Sequence, residues 1–478
     1  MAPQRLQLVL TARQETLTKS TTSALQTSSR RDWPELDLLL LKALEDSQSL
    51  SPGGWTYASR PARAEGHSFF QYPAMMVPAM QGELIDAVTR LGLDIRNIYD
   101  PFVGSGIVMT EAMRRGLNFC GQDINPLAIA ICMAKSRSFD TVRLREQVDL
   151  TLLRLRHKPR SPEAWTFPNL AKWFSPTVVG ELAAIRAAIR LCDSPDSRTF
   201  MWIALAETVR LTSNSRTTTF KLHARPAAEI ARRALSPLIL FRQVAEANLD
   251  RLIGLRRVLE AGSFLVEDRY RHDTVLSVGD SVVAGPHQGH MHDLLITSPP
   301  YGDNLSTVPY GQHSYLPLQW VDTDDLLGSL DRSFLRTTQE LDRRSLGGRN
   351  HATAIASANG LLGSSEAYQV TMRRLSALPP DRSRRVAAFL RDLATSIPPI
   401  LSSLKANSYM FWTVGNRRVG GELIPTDQVL ADILEANNAV ILGKIPRPIP
   451  MHRKRMALKN SLTLTMSSET VVVARTQG

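Results

Sequence analysis

The sequence contains few cysteines and no long hydrophobic run. Three cysteines occur in 478 residues, Cys120, Cys132 and Cys192, and no two of them have CxxC spacing. Neither a disulfide framework nor a metal site is therefore indicated, and a reducing compartment is expected. The longest apolar stretches, such as 38–41, fall far short of the roughly 18 residues that a membrane-spanning helix needs. We expect a cytoplasmic protein without a membrane segment.

Basic side chains outnumber acidic ones. The chain has 57 Lys and Arg residues against 45 Asp and Glu residues, a formal net charge of +12. This balance suits a polyanionic partner, because cations that neutralise phosphates displace counterions; a basic surface that is merely solvated is the alternative. With 43% hydrophobic and 21% charged residues, the composition is that of a globular protein and excludes disorder along the whole chain.

Turn residues and hydrophobic periodicity divide the chain into four segments. The predicted segments are an N-terminal arm (1–66), a first α/β part (67–141), a helical insertion (142–261) and a second α/β part (262–478) in which 305–385 is rich in loops. In the first α/β part a buried strand, a glycine-containing turn, a helix and a second strand follow one another, and strand patterns return after the insertion. This order predicts an α/β fold with a doubly wound sheet, interrupted by a large α-helical insertion.

A glycine motif follows the first predicted strand and directly precedes a helix. It spans 100–106 and reads Asp-Pro-Phe-Val-Gly-Ser-Gly. Its glycines let the backbone pass close to a ligand, and the helix N-terminus offers free N–H donors. Asp123 ends the next strand, about 20 residues further on, where a carboxylate can accept hydrogen bonds from ribose hydroxyls. A nucleoside-type cofactor fits better than NAD, because Met109 replaces the third glycine of a dinucleotide motif; a tight turn without a ligand is the alternative.

A second motif, Ser298-Pro299-Pro300-Tyr301, ends a buried strand at 293–297. An exocyclic amine of a base is a poor nucleophile, since its lone pair is delocalised into the ring. The Ser298 hydroxyl and the Pro299 carbonyl can accept both amino hydrogens and favour a pyramidal nitrogen, while the prolines hold the carbonyl rigid. Tyr301 is expected to stack on a base that has been rotated out of its duplex. A plain loop is the alternative for this short motif taken alone.

Together the two motifs resemble motifs I and IV of S-adenosylmethionine-dependent amino-methyltransferases of DNA, and the stretches around Tyr72 and Asp280 are similar to further cofactor motifs of these enzymes. The resemblance covers about 67–140 and 270–478. It implies a Rossmann-like class I methyltransferase sheet, S-adenosyl-L-methionine as cofactor, double-stranded DNA as partner, and catalysis by the Ser-Pro-Pro-Tyr motif. The residues that it assigns to the cofactor are Tyr72, Pro73, Asp100, Pro101, Phe102, Gly104, Ser105, Gly106, Asp123, Ile124, Asn125 and Asp280.

The serine of the catalytic motif favours one target atom. Ser-Pro-Pro-Tyr resembles cytosine-N4 enzymes, whereas adenine-N6 enzymes more often have Asp or Asn first, so we predict cytosine N4 and keep adenine N6 open. C5-cytosine methylation is excluded, because it needs a Pro-Cys nucleophile and no cysteine here follows a proline. The resemblance implies a restriction-modification or phage-defence setting at a prokaryotic nucleoid, with a separate restriction endonuclease or defence subunit as a candidate partner. RNA or protein-amide methylation and a catalytically silent DNA-binding subunit are further alternatives.

DNA recognition is expected from the helical insertion and from 305–385, since little chain follows the last predicted strand. In the insertion, 213–225 combines hydroxyls, Asn and Arg, which suit phosphate and base-edge contacts; a solvated loop is the alternative. A basic run from Arg447 to Lys459 is a second candidate, with a solvated run as the alternative. Tyr310, Tyr315 and Trp320 are candidates for the base pocket, with core packing as the alternative for Trp320. The candidate DNA-binding residues are Ser215, Arg216, Lys221, Arg225, Arg453, Lys454 and Arg455.

Overall fold

The computed structural model describes residues 32–51, 53–57, 66–156, 165–283, 291–449 and 466–478. Its helices are α1 (Trp33–Leu50), α2 (Pro78–Thr89), α3 (Ile107–Met113), α4 (Pro126–Ser136), α5 (Thr141–Arg156), α6 (Leu170–Trp173), α7 (Pro176–Arg190), α8 (Pro195–Thr212), α9 (Ala227–Ala231), α10 (Pro237–Ala261), α11 (Tyr310–Trp320), α12 (Thr323–Leu327), α13 (Glu340–Arg344), α14 (Ala354–Leu362), α15 (Glu366–Leu375), α16 (Pro380–Leu401) and α17 (Thr426–Ala436), with a 3₁₀ helix at Arg332–Leu335. Its strands are β1 (Asn97–Asp100), β2 (Asn118–Asp123), β3 (Leu265–Val266), β4 (Arg269–Tyr270), β5 (Thr274–Val278), β6 (His292–Thr297), β7 (Leu404–Gly415), β8 (Arg418–Val419), β9 (Glu422–Leu423), β10 (Ala439–Pro448) and β11 (Ser468–Thr476). Within these ranges, no helix is long and apolar enough to cross a membrane.

Seven strands form one sheet in the order β10-β11-β7-β6-β1-β2-β5. Strands β5, β2, β1, β6 and β7 pair in parallel, and β11 is antiparallel to both of its neighbours, β7 and β10. From β1 the chain proceeds to β2 and β5 on one side and then crosses to β6 on the other. Such a switch of direction opens a crevice at the carboxyl ends of the strands. The predicted doubly wound, Rossmann-like sheet with a helical insertion is confirmed.

Side chains of the central strands enter two hydrophobic cores, one on each face of the sheet. Ile98, Leu294 and Phe411 lie in the first core, and their neighbours Tyr99 and Leu295 lie in the second. Helices α1 to α4 and those of the insertion cover the first core, whereas α14, α16 and α17 cover the second. Successive side chains of a strand point to opposite faces, so these strands are buried on both faces, as is usual for parallel strands covered by helices.

Four of the described helices begin with the same local signal, a polar side chain followed by proline. The side chains of Asn125, Ser175, Ser194 and Ser236 each accept a backbone N–H of the first turn. Proline at the first helical position loses no hydrogen bond, since that N–H has no partner inside the helix. Three of these caps start α7, α8 and α10, so the sequence itself defines where the long helices of the insertion begin.

The helices between β2 and β5 pack around α8, which contacts α4, α7, α10 and α11. The amide of Asn248 on α10 donates to the carbonyl oxygen of Phe69 at 3.0 Å. On the other side, Arg198 of α8 binds the Asp325 carboxylate of α12 at 2.7 Å. The insertion therefore holds two stretches of chain, one before β1 and one after β6, that flank the carboxyl ends of the parallel strands.

The predicted N-terminal arm contains a helix of the core. Three leucines of α1 at helical spacing are buried, Leu36, Leu40 and Leu44. Asp37 forms an ion pair with Arg475 of β11, with Oδ1 and Nε 2.9 Å apart. This helix therefore anchors the last strand of the sheet.

The segment 305–385, described throughout, contains helices α11 to α15 and the start of α16 where the sequence predicts long loops with short helices. Its helices are brief, and several end next to Gly or Ser, which hides their periodicity from sequence analysis. The segment packs over the carboxyl ends of the strands.

Candidate active site

A cavity of about 810 Å³ lies where β1, β2, β5 and β6 end. Both sequence motifs contribute to its wall, together with residues of the segment 305–385. The predicted site residues that line it are Tyr72, Pro73, Phe102, Gly104, Ser105, Asp123, Ile124, Asn125, Asp280, Ser298 and Pro300.

The two glycines of the first motif have different roles. Both have left-handed backbone conformations, with φ of +50° at Gly104 and +74° at Gly106. Gly104 lines the cavity, whereas a Cβ atom at Gly106 would lie 2.7 Å from the Sγ atom of Cys132 on α4. Gly104 therefore keeps the cavity open, and Gly106 allows α4 to pack against the loop.

A buried lysine side chain binds backbone carbonyl groups of this loop and of a neighbouring segment. The ammonium group of Lys135 donates to the carbonyl oxygens of Ser105 at 2.7 Å and His67 at 3.1 Å. Burial lowers the pKa of Lys135 to about 8. The hydroxyl of Ser105 lines the cavity, is itself buried and has no hydrogen-bond partner among the described residues. Since a buried polar atom normally has a partner, this hydroxyl is available to a ligand.

Asp123 lies beside Gly104 at the end of β2. Its Oδ2 atom accepts the N–H of Gly104 at 2.9 Å, and its Oδ1 atom accepts the N–H of Asn125 at 2.8 Å. Burial raises the pKa of Asp123 to about 6. Each carboxylate oxygen keeps a further lone pair, so the group can still accept hydrogen bonds from a ligand in the cavity.

Asn125 joins three parts of the cavity wall. Its Oδ1 atom caps α4 at the N–H of Leu127, and its Nδ2 atom donates to the hydroxyls of Tyr72 at 3.1 Å and Ser314 at 2.7 Å. The ring of Tyr72 lies 5.7 Å from that of Tyr310, between centroids. The stretch before β1 and helix α11 therefore meet above the end of β2.

The catalytic motif contacts the last two strands of the sheet. The Oγ atom of Ser298 lies 3.3 Å from the hydroxyl of Tyr301, which donates to the Oε1 atom of Glu469 on β11 at 3.0 Å. The Oε2 atom of Glu469 lies 2.7 Å from a guanidinium nitrogen of Arg447 on β10. Burial, reinforced by the negative charge of Glu469, raises the pKa of Tyr301 well above its ordinary value. Arg447, part of the predicted basic run, is thus buried in an ion pair.

A buried amide faces the cavity next to the catalytic motif. Asn304 lines the cavity, its side chain hydrogen-bonds the Asp342 carboxylate, and its Oδ1 atom has no partner among the described residues. Asp342 also accepts the N–H groups of Gly311 at 2.7 Å and Gln312 at 3.0 Å. Because a carboxylate only accepts, Asn304 must direct its NH₂ group to Asp342, which leaves its Oδ1 atom as a free acceptor.

Asp100 connects the ends of β1 and β6 behind the cavity. Its Oδ1 atom accepts the N–H of Phe102 at 3.0 Å and the hydroxyl of Thr297 at 2.6 Å. Burial raises the pKa of this carboxyl to about 7. Asp100 therefore fixes the cofactor motif relative to the strand that carries the catalytic motif.

Five predicted site residues are not part of the cavity wall: Asp100, Pro101, Gly106, Pro299 and Tyr301. Asp100 and Gly106 instead fix the loop, as described above. Tyr301 lies with its ring against Gly415 of β7, where a Cβ atom would be 2.7 Å from the ring. Of the base-pocket candidates, Tyr310 lines the cavity, whereas Tyr315 and Trp320 are buried in the hydrophobic core. Asn304, Asp342 and Glu469 were missed by sequence analysis, since no local pattern marks them.

The candidate DNA-binding residues are distributed over two regions. Ser215 is buried in the turn 213–225, where its Oγ atom accepts the N–H of His223 at 3.3 Å, and Arg225 is bound to Glu229 of α9. Arg216 and Lys221 are exposed. Three further candidates lie outside the described residues: Arg453, Lys454 and Arg455.

The strand order and the cavity at the switch point define an α/β protein of Rossmann-like fold with a ligand site at the carboxyl ends of its strands. Type II methyltransferase M.MvaI from Kocuria varians is 30% identical to the chain over 427 residues, which are 86% of this chain and 90% of that protein. The chain belongs to this family of type II methyltransferases. No protein-family profile matches it.

Two solved structures of the rRNA methyltransferase aviRa from Streptomyces viridochromogenes are also similar. They have 13% and 12% sequence identity and cover 90% and 84% of this chain, and 92% and 86% of their own chains. The TM-score is 0.26 for both, which is too low to bear on function.

Proposed function

We propose that the chain methylates the exocyclic N4 amine of cytosine in double-stranded DNA, using S-adenosyl-L-methionine and a base rotated out of the helix. The observation that carries this proposal is the shared cavity: Ser298 and Pro300 line the same space as Gly104 and Asp123. A methyl donor and an acceptor base held in one site react as an oriented pair, which supplies much of the rate enhancement. The name of the relative, a type II methyltransferase, supports a restriction-modification setting.

The cavity fits S-adenosyl-L-methionine in its chemistry. When bound, this cofactor supplies an electrophilic methyl group on a positively charged sulfur. Asp123 would accept the ribose hydroxyls, and the unpartnered hydroxyl of Ser105 would donate to the carboxylate of the methionine part. Asp280 lines the same cavity, burial raises the pKa of its carboxyl, and it would accept from the amino group of the adenine.

The chain's own residues would prepare the amine for attack. The Ser298 hydroxyl and the free Oδ1 atom of Asn304 are acceptors in the cavity wall, and the Pro299 carbonyl follows Ser298 directly. Acceptors for both amino hydrogens favour a pyramidal nitrogen with a localised lone pair. Held in this way, the nitrogen lone pair would face the methyl group that bound S-adenosyl-L-methionine supplies, and one amino proton would leave to water once the nitrogen is methylated. No strong base is needed in this reaction.

The turn 213–225 is the described surface that we propose for contact with DNA. Its Leu222 N–H donates to the Gln312 side chain of α11 at 3.4 Å, and the rings of Phe220 and His313 lie 5.5 Å apart. The turn is thus attached to the helix that begins with the cavity residue Tyr310. Cations exposed here can bind phosphates beside the cavity entrance.

Mass spectrometry of methylated nucleosides tests the proposal. The purified protein is incubated with S-adenosyl-L-methionine and unmethylated genomic DNA, beside Ser298→Ala and a matched control, Ser376→Ala, whose serine is exposed on the surface. We expect N4-methylcytosine with the wild type and the control, and a loss of at least about 100-fold with Ser298→Ala, as for other groups that stabilise a transition state.

Each other product has a defined meaning. N6-methyladenine would preserve the mechanism and refute the assignment of cytosine. Methylated RNA without methylated DNA would refute DNA as the substrate. Cofactor binding without any methylated product would favour a catalytically silent DNA-binding subunit.

A further inference from the structure

A chain of hydrogen bonds leads from the catalytic serine to a buried ion pair on the last two strands. Its atoms are the Ser298 hydroxyl, the Tyr301 hydroxyl 3.3 Å away, the Glu469 carboxylate 3.0 Å further on, and the Arg447 guanidinium at 2.7 Å from the other carboxylate oxygen. Arg447 and Glu469 are directly paired in the register of β10 and β11. Of the Arg447 side chain, 6% is exposed, and of the Glu469 side chain 17%, so water competes little for these bonds.

The Glu469 carboxylate determines which group donates in each of these hydrogen bonds. The ion-paired Glu469 carboxylate accepts hydrogen bonds and donates none, so the single hydroxyl proton of Tyr301 must point to Glu469. The oxygen of Tyr301 can then only accept from Ser298, and the Ser298 proton points away from the cavity. The lone pairs of the Ser298 oxygen are left for a ligand that donates.

We propose that Glu469, held by Arg447, is a positioning residue that makes Ser298 a hydrogen-bond acceptor for the amine to be methylated. This inference rests on the proposed function, since an amine donates two hydrogens where a carbonyl oxygen donates none. Glu469 acts through Tyr301 and does not itself line the cavity. No proton leaves the chain of bonds during the reaction, because the ion pair with Arg447 stays intact.

Glu469→Gln tests the direction of the bonds with almost no change of shape. The guanidinium of Arg447 only donates, so the introduced amide turns its oxygen to Arg447 and its NH₂ group to Tyr301. Tyr301 must then donate to Ser298, and the Ser298 proton points into the cavity against the amine. We expect kcat to fall by about 10- to 100-fold, the equivalent of one hydrogen bond to a charged group, with the KM for S-adenosyl-L-methionine unchanged.

A double-mutant cycle separates this role from a merely structural one. In a Tyr301→Phe background the direction of the bonds is already lost, so adding Glu469→Gln should leave kcat within about twofold, as expected for two residues that act through one contact. The matched control is Glu435→Gln, at an exposed glutamate of α17, which should leave kcat and KM at wild-type values. Urea unfolding of each variant reports folding separately.

Three outcomes decide the inference. A loss of kcat that disappears in the Tyr301→Phe background supports it. Equal effects of Glu469→Gln in both backgrounds, or wild-type kcat in Glu469→Gln, overturn it while the proposed function stands. A wild-type protein that binds the cofactor and methylates no base overturns both, and this result is distinguished from the others before any variant is made.

Discussion

Replacing Asp100 by Asn is expected to stabilise the protein at alkaline pH. Asp100 is fully buried, its Oδ2 atom has no hydrogen-bond partner among the described residues, and burial raises the pKa of its carboxyl from 3.8 to about 7. The folded protein therefore binds an extra proton between about pH 4 and pH 7, and its stability falls as the pH rises through that window. A difference of about three pKa units corresponds to about 4 kcal/mol. Asn cannot ionise, yet it keeps an acceptor for Thr297 and Phe102.

Urea unfolding at several pH values measures this effect. From pH 5 to pH 8, we expect the advantage of Asp100→Asn over the wild type to grow by about 3 kcal/mol. The unpartnered NH₂ group of the variant costs about 1–3 kcal/mol, but it does so equally at every pH, so the slope is decisive. Asp46→Asn, at an exposed aspartate of α1, should show no such slope. If the difference between Asp100→Asn and the wild type does not change with pH, the reasoning on burial is wrong.

Two further changes test the packing of the fold by urea unfolding. Gly106→Ala should lower the free energy of unfolding by about 2–4 kcal/mol, because a left-handed alanine costs roughly 1–2 kcal/mol and its Cβ would lie 2.7 Å from the Sγ of Cys132. The control Gly180→Ala, in open space on α7, should raise it by about 0.5–1 kcal/mol. Equal effects of the two changes would contradict this account. Arg475→Met should cost about 3–5 kcal/mol, since it leaves the nearly buried Asp37 carboxylate with the Tyr409 hydroxyl but without a cation. A cost below about 1 kcal/mol would contradict this account.

The sheet was predictable where its signal is local. Buried strands on both sides of a glycine turn predicted β1 and β2, and hydrophobic periodicity predicted the helices of the insertion. Helix α1 was missed because its leucines bury against strands hundreds of residues away, with Asp37 bound to Arg475. When a helix packs against strands that are distant in the sequence, its only local signal is the helical spacing of its apolar residues. In one short helix this signal is weak, so the helix is easily assigned to an exposed arm.

The cavity was predictable from its motifs, but not all of its chemistry was. Ser298, Gly104 and Asp123 come from two recognisable motifs and do line one space. Asn304 lies only a few residues beyond the catalytic motif, yet its free acceptor depends on Asp342 of α13. The role of such a side chain depends on which neighbour accepts the hydrogen bond of its NH₂ group. This neighbour cannot be identified from the sequence.

A serine hydroxyl both donates and accepts, so the catalytic motif alone does not determine which of the two it offers to a substrate. Here Glu469, 168 residues beyond Tyr301 in the sequence, accepts the hydrogen bond of the Tyr301 hydroxyl. The Tyr301 oxygen is then left to accept a hydrogen bond from Ser298. Replacing this glutamate by glutamine would reverse the bonds of the Tyr301 and Ser298 hydroxyls without moving a heavy atom of the motif. The Ser-Pro-Pro-Tyr motif would then suit a substrate atom that accepts a hydrogen bond. Under the proposed function, the last strand of the chain, β11, thereby contributes to the choice of an amine as the group to be methylated.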